Sequence, residues 1–308
     1  MKFLPSYVRL YETGELKGRV SAAYEMLKEC KLCARECGVN RLQDEKGFCR
    51  SGMRAMVSSV GPHFGEEPPL VGRSGSGTIF LTNCNLGCVF CQNHEISQLG
   101  RGREIESDEL ARAMLDLQNM GCHNVNFVTP THYIPQILAA LLLSVENGLR
   151  VPLVHNCGGY ESIDALKLLD GVFDIYMPDI KYGDNDAGEK YSEAPGYFDA
   201  VTAAVSEMHR QVGDLKINSE GIAESGLLIR HLVLPGNLAG TEKVLNYVAG
   251  LSENSYVNIM DQYRPEHKAS EYPELNRGIR SEEFMSAISV AEESGLSRGF
   301  PHDRRKRF

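Results

Sequence analysis

From residue 78 onward the chain repeats one pattern: an apolar, β-branched run followed by a stretch with helical spacing. The runs are TIFLT (78–82), NVNFVT (124–129), RVPLVHN (150–156), VFDIYMPDI (172–180), GLLIRHLVLP (226–235) and SYVNIMDQY (255–263). Between them, a helix is expected from Ser107 as N-cap, with Asp108 and Glu109 in its first turn and Leu110, Met114 and Leu117 on one face. YIPQILAALLLSVEN, with Pro135 in its first turn, SIDALKLL, the segment 197–211, TEKVLNYVAGL and 281–294 read as the other helices. KYGDNDAGEK (181–190) reads as a polar Gly/Asp loop, and Pro235-Gly236 as a structural turn.

Right-handed crossovers make such repeated βα units a parallel sheet with helical cover. Six units are too few to close the eight-stranded barrel. The expected α/β fold is therefore a partial, open (β/α)6 TIM-like barrel, with its site at the C-terminal ends of the strands. The chemically unusual residues gather there: a cysteine loop after the first strand, then TPTH, NCGGY, MPDIK, LPGN and DQY in turn. The first 70 residues lack the rhythm and form a small cysteine-rich N-terminal appendage, giving units 1–70 and 71–308.

Apolar residues make up 42% and charged residues 24% of the 308, as in an ordinary globular protein. The longest apolar run, ILAALLLSV (137–145), is too short to span a membrane. The N-terminus lacks the apolar core of an export signal, so a cytoplasmic protein is expected. A net charge of −9 argues against general nucleic-acid binding, despite the basic tail RRKRF, read as a solvated terminus. Seven of nine cysteines fall within 30–49 and 84–91, leaving Cys122 and Cys157 alone. Without an export signal, such clusters point to metal rather than disulfides.

Cys84, Cys88 and Cys91 are spaced C-x3-C-x2-C, one ligand short of a closed four-coordinate site. Three thiolates can hold three irons of a [4Fe–4S] cubane and leave the fourth iron open to another ligand. Gly87 lets the loop wrap closely. Zinc would need a fourth ligand, for which His94 is the nearby candidate, and the spacing is not that of a familiar zinc finger. Cys30, Cys33, Cys37 and Cys49 are spaced C-x2-C-x3-C-x11-C and make a complete set, with Gly38 and Gly47 for the turns. Structural zinc and a second [4Fe–4S] cluster both fit four thiolates.

With Phe90 as the aromatic before Cys91, the loop after the first strand resembles that of the radical S-adenosylmethionine (SAM) superfamily. The resemblance covers roughly 78–295 and is nearest to activating enzymes of glycyl-radical proteins, such as the pyruvate formate-lyase activating enzyme. It implies that SAM chelates the fourth iron, and that an electron from the cluster cleaves it to methionine and a 5′-deoxyadenosyl radical, which takes hydrogen from a substrate. That supplies the missing ligand. The resemblance also implies a flavodoxin- or ferredoxin-type electron donor and, as substrate, a glycyl-radical protein or else another protein or a small molecule. Phe90 joins the cofactor-binding set through the motif.

Met177-x-Asp179-x-Lys181 matches the activase pattern, in which the aspartate helps hold a monovalent cation near the SAM carboxylate. Alternation lets Asp179 and Lys181 face one side of a strand end. On that reading Asp179→Ala weakens SAM binding and leaves thermal stability nearly unchanged. Asn156 and Cys157 stand where the activases have aspartate and threonine, a loss of charge that weakens a cation site. Arg230 also matches. Where the family has Gly-Gly-Glu for the SAM amino group, this chain has Pro130, Thr131 and His132. Pro130 has no N–H, so contact there falls to carbonyls or to the Thr131 and His132 side chains. No catalytic side chain is assigned. Two other classes compete: a non-catalytic iron–sulfur carrier, which would want four cysteines per cluster, and a zinc-stabilised interaction protein.

Overall fold

The computed structural model describes residues 3–300; the basic tail 304–308 lies outside them. The strands are β1 (Ala55–His63), β2 (Ser76–Leu81), β3 (Arg103–Ile105), β4 (Val125–Val128), β5 (Leu153–Cys157), β6 (Ile175–Pro178), β7 (Lys216–Ile217), β8 (Ala223–Leu232) and β9 (Tyr256–Met260). The helices are α1 (Ser6–Glu12), α2 (Glu15–Glu25), α3 (Pro68–Val71), α4 (His94–Ser97), α5 (Ser107–Asn119), α6 (Ile134–Glu146), α7 (Ile163–Leu168), α8 (Asn185–Ser192), α9 (Tyr197–Val212), α10 (Thr241–Leu251) and α11 (Ser281–Glu293).

All six expected strands are present, and they pair in parallel in the order β2-β4-β5-β6-β8-β9. The fold is an open α/β barrel. β9 pairs with β8, and the far edge of β2 is taken by β1, antiparallel, followed by β3. The central strands are buried on both faces, as helical cover requires; β5 and β6 are buried throughout. Ile79, Phe127 and Ile229 point out to the helices, while the alternate positions line the lumen. α5 shows its Leu110–Met114–Leu117 face to the core. No helix is long and apolar enough to cross a membrane.

Two local readings change. Ser107 is the first helical residue rather than the cap: Glu106 holds the N-cap position, and the Ser107 hydroxyl bonds to Tyr24. The stretch read as a Gly/Asp loop contains α8. Asp184 caps it by accepting the Ala187 N–H at 2.7 Å, which outweighs the poor helix propensity of Asn185 and Gly188.

The N-terminal part runs up the outside of the barrel. Ser6 N–H donates to Asp174 at 2.9 Å and the Tyr7 hydroxyl to the Val151 carbonyl at 2.8 Å, which fixes α1 beneath β5 and β6. The cysteine segment then reaches the opposite end, where Cys33 forms a backbone bridge with Glu161 beyond β5. The loop after β1 folds back into the lumen. Fully buried Leu70 packs there against Val154, Ile175, Met177 and Leu228, so an apolar plug fills the lower lumen.

Gly159, in the turn after β5, has φ +78°, and an added Cβ would strike the Val201 methyl and lie 2.8 Å from the Asp179 carbonyl oxygen. Gly159→Ala is expected to cost roughly 2–4 kcal/mol from left-handed strain plus overpacking. Gly158→Ala meets only the end of the Leu86 side chain and should cost less, so the two melting curves test the assignment.

Candidate active site

The loop after β2 carries the three cysteines, and backbone bonds from its neighbours shape it. Gly87 N–H donates to the Ser192 carbonyl at 2.8 Å and Val89 N–H to the Tyr191 carbonyl at 2.9 Å, both at the end of α8. Lys268 N–H, from the segment after β9, donates to Val89 O at 2.8 Å. A Cβ at Gly87 would sit 2.7 Å from the end of the exposed Glu193 side chain, which can move aside, and 3.3 Å from Phe48. Phe90 is buried between Tyr182 and Tyr263, with ring centroids 6.3 and 5.7 Å away, so it walls the loop.

Each sulfur has a polar neighbour. Leu86 N–H donates to Cys84 Sγ at 3.3 Å, Ser192 Oγ donates to Cys88 Sγ at 2.9 Å, and Cys91 Sγ lies 3.1 Å from Ser97 Oγ. Burial pushes the Cys84 and Cys88 thiols up; the nearby Lys181 charge opposes this at both. His94 stacks on His267 at 4.9 Å.

Opposite the loop, register sets Asp179 beside Arg230, with the Ile180 N–H donating to the Arg230 carbonyl at 2.9 Å. Arg230 Nε donates to one Asp179 oxygen at 2.7 Å and Lys181 Nζ to the other at 2.6 Å. Arg230 also donates to Asn156 Oδ1 at 2.7 Å and lies 3.5 Å from Glu66. Burial alone would raise the Asp179 pKa, but Arg230 and Lys181 hold it below the usual range. Burial would likewise lower Lys181; Asp179, with the Cys88 thiol behind it, raises it instead. Asn156, Asp179, Lys181 and Arg230 thus form one constellation, and Lys181 joins it electrostatically to the cysteines.

Thr131 and His132 are not brought to that constellation. Both are fully buried: Thr131 Oγ1 donates to Glu161 at 2.6 Å, and His132 Nε2 lies 3.0 Å from the Thr82 carbonyl. Burial lowers the His132 pKa to about 3, so the ring is neutral. Their side chains are committed to the wall behind the strand ends, which leaves the backbone carbonyls of this turn, the other route the sequence allowed, for any contact with the cofactor.

Sequence reasoning missed Glu66, Glu67, Asn258 and Ser192. Glu67 accepts from Asn258 at 2.7 Å, and burial raises its pKa against the pull of Arg230. These two acids enter from the plug loop, and nothing in GEEPP signals that they turn inward. Ser192 follows from α8, for which the Asp184 cap was the available signal. A further polar knot, His155, Cys157 and Glu161, lies buried on the outer face of β5, with His155 Nε2 3.5 Å from Glu161.

Residues 78–222 match the sequence profile of the radical SAM superfamily, across the cysteine loop and the Asp179–Lys181 strand end. The chain belongs to the radical SAM superfamily. It is 36% identical over 288 residues to the uncharacterized protein MJ0674 of Methanocaldococcus jannaschii, covering 90% of this chain and 78% of that one. Among solved structures it is similar to TYW1 with a lysine-pyruvate adduct bound, with a TM-score of 0.45, 11% identity, and 73% of this chain and 76% of that one covered. It is also similar to anSMEcpe with bound AdoMet, with a TM-score of 0.47, 13% identity, and 69% and 57% covered.

The cofactors of this radical SAM protein are a [4Fe–4S] cluster and SAM, and the residues present fit them. Three buried or half-buried thiols on one loop, each with a polar neighbour at its sulfur, suit three irons of a cubane. Lys181 offers a cation between that loop and the lumen.

Proposed function

We propose that this radical SAM enzyme activates a glycyl-radical protein, taking a hydrogen atom from a glycine Cα of a partner chain. The carrying observation is the Asp179 clamp: the Met177-x-Asp179-x-Lys181 strand end, matched to the activases, closes with Arg230 and Asn156 into one charged layer facing the cysteine loop. When bound, the cluster supplies the electron that splits SAM into methionine and a 5′-deoxyadenosyl radical. The chain's residues do the rest. Lys181 presents an ammonium to a carboxylate held near Cys88, Asp179, itself held by Arg230, fixes that ammonium, and Phe90, Tyr182 and Tyr263 keep water from the loop. The open barrel supports a macromolecular substrate, because β9 does not pair with β2 and strands do not close that side of the lumen. The proposal includes a flavodoxin- or ferredoxin-type donor and a cytoplasmic setting.

The test uses reconstituted enzyme, dithionite, SAM and an unactivated glycyl-radical protein labelled with deuterated glycine. Deuterium in the 5′-deoxyadenosine, together with a glycyl EPR doublet on the partner, is the expected result. SAM cleavage without deuterium transfer would overturn the activase reading and leave the superfamily intact.

A further inference from the structure

The N-terminal cysteines raise a separate question of charge. Cys30, Cys33 and Cys49 are each 6% exposed, Cys37 is exposed, and all four are free thiols. They lie in a stretch between α2 and β1 whose only regular element is a short 3-10 turn, Arg41–Gln43. Strand and helix ladders therefore do little to hold this largely exposed stretch around its buried cysteines. An added Cβ at Gly47 would lie 2.8 Å from Cys37 Sγ, so the loop is drawn close around that sulfur.

Arg41 is fully buried in the same stretch. Its guanidinium donates to the Gly52 carbonyl at 3.1 and 2.8 Å and to the His132 carbonyl at 2.7 Å, and Nη1 lies 3.9 Å from Cys30 Sγ. None of these partners is a carboxylate. A buried guanidinium without an anion is costly, and neutral thiols do not relieve it. Four thiolates around a metal centre do, because the assembly carries net negative charge.

A single zinc and a cubane would both relieve that charge; what separates them is the segment's contact with the redox site, which a purely structural zinc does not need.

The segment also touches the first site directly. Arg50, next to Cys49, donates to the Ser97 carbonyl at 3.1 Å, and Ser97 Oγ lies 3.1 Å from Cys91 Sγ. Arg35, between Cys33 and Cys37, stacks over Phe48 at 3.3 Å and donates to the Asn85 carbonyl, beside Cys84, at 2.6 Å. We infer that Cys30, Cys33, Cys37 and Cys49 bind a second [4Fe–4S] cluster, joined to the first through Arg50 and Ser97. It serves as the electron entry point: a low-potential one-electron donor reduces it, and it passes that electron inward to the SAM cluster. This assignment does not depend on the activase reading.

Metal analysis of the anaerobically reconstituted Cys84/Cys88/Cys91 triple-alanine protein tests it. About four irons and four sulfides should remain per chain, against about eight irons in the unmodified protein. Adding Cys37→Ala should remove that iron, and because Cys37 is exposed the fold should persist by circular dichroism. Dithionite-reduced unmodified protein should show an EPR signal broadened by coupling between two clusters, absent from the triple variant. One zinc per chain in the triple variant, or no metal at all, would overturn the inference.

Discussion

Alanine at any one of Cys84, Cys88 or Cys91 is expected to abolish reductive cleavage of SAM, with 5′-deoxyadenosine formation falling by at least about a thousandfold, some 4 kcal/mol of activation. The open coordination position exists only while the other three irons are held, so each thiolate is indispensable to the site. Cys122→Ala is the control: that thiol is buried beside Gly77, on a different part of the sheet, and should leave the rate unchanged. The measurement is anaerobic, with dithionite in excess, and counts methionine alongside 5′-deoxyadenosine. Near-normal cleavage by any of the three alanine proteins would remove that cysteine from the ligand set.

Asp179→Ala is expected to hurt both binding and stability, and here the geometry revises what the strand-end motif alone implied. Asp179 is not a lone carboxylate at a barrel mouth. It lies between Arg230 and Lys181, with side-chain exposures of 16%, 16% and 20% for the three groups. Removing it strips Lys181 of its carboxylate and leaves Arg230 with Glu66, 3.5 Å away. Breaking a fully buried pair costs roughly 3–5 kcal/mol, so roughly 2–3 kcal/mol is expected for this one, which still touches solvent. For a chain this long that corresponds to a melting point lower by about 4–8 °C. SAM affinity should fall by about tenfold or more, since Lys181 loses its anchor. Adding Lys181→Met to Asp179→Ala should recover part of the lost stability, because the charge that Asp179 paired goes with it. A melting point for Asp179→Ala equal to that of the unmodified protein would show that the clamp carries no energy.

Much of the barrel could be read directly because parallel strands are buried on both faces and appear as continuous apolar runs, as TIFLT and GLLIRHLVLP do. The cysteine loop was legible for a different reason: ligand spacing is a local property of the chain. What escaped was either non-local or disguised by composition. Arg230 reaches Asp179 across the β6–β8 pairing, and Glu66 arrives from a loop that precedes the first barrel strand. Thr131 and His132 sit at strand-end positions, yet their side chains turn outward to Glu161 and Thr82. α8 was hidden by Gly and Asn in its own turns, although its cap was in plain view.

The bonds from α8 to the cysteine loop have a consequence for how the protein acquires iron. Gly87 and Val89 are tied by their amides to the carbonyls of Ser192 and Tyr191, so a helix end shares in setting the loop's path through bonds that need no metal. Small zinc domains show the opposite order, in which the chain stays unfolded until metal arrives. Here those bonds belong to the barrel itself, so the fold is expected to survive loss of the cluster. A cluster lost to oxygen should then be replaceable with little ordering entropy left to lose, and an unchanged far-UV circular dichroism spectrum on removing the iron is the expected sign.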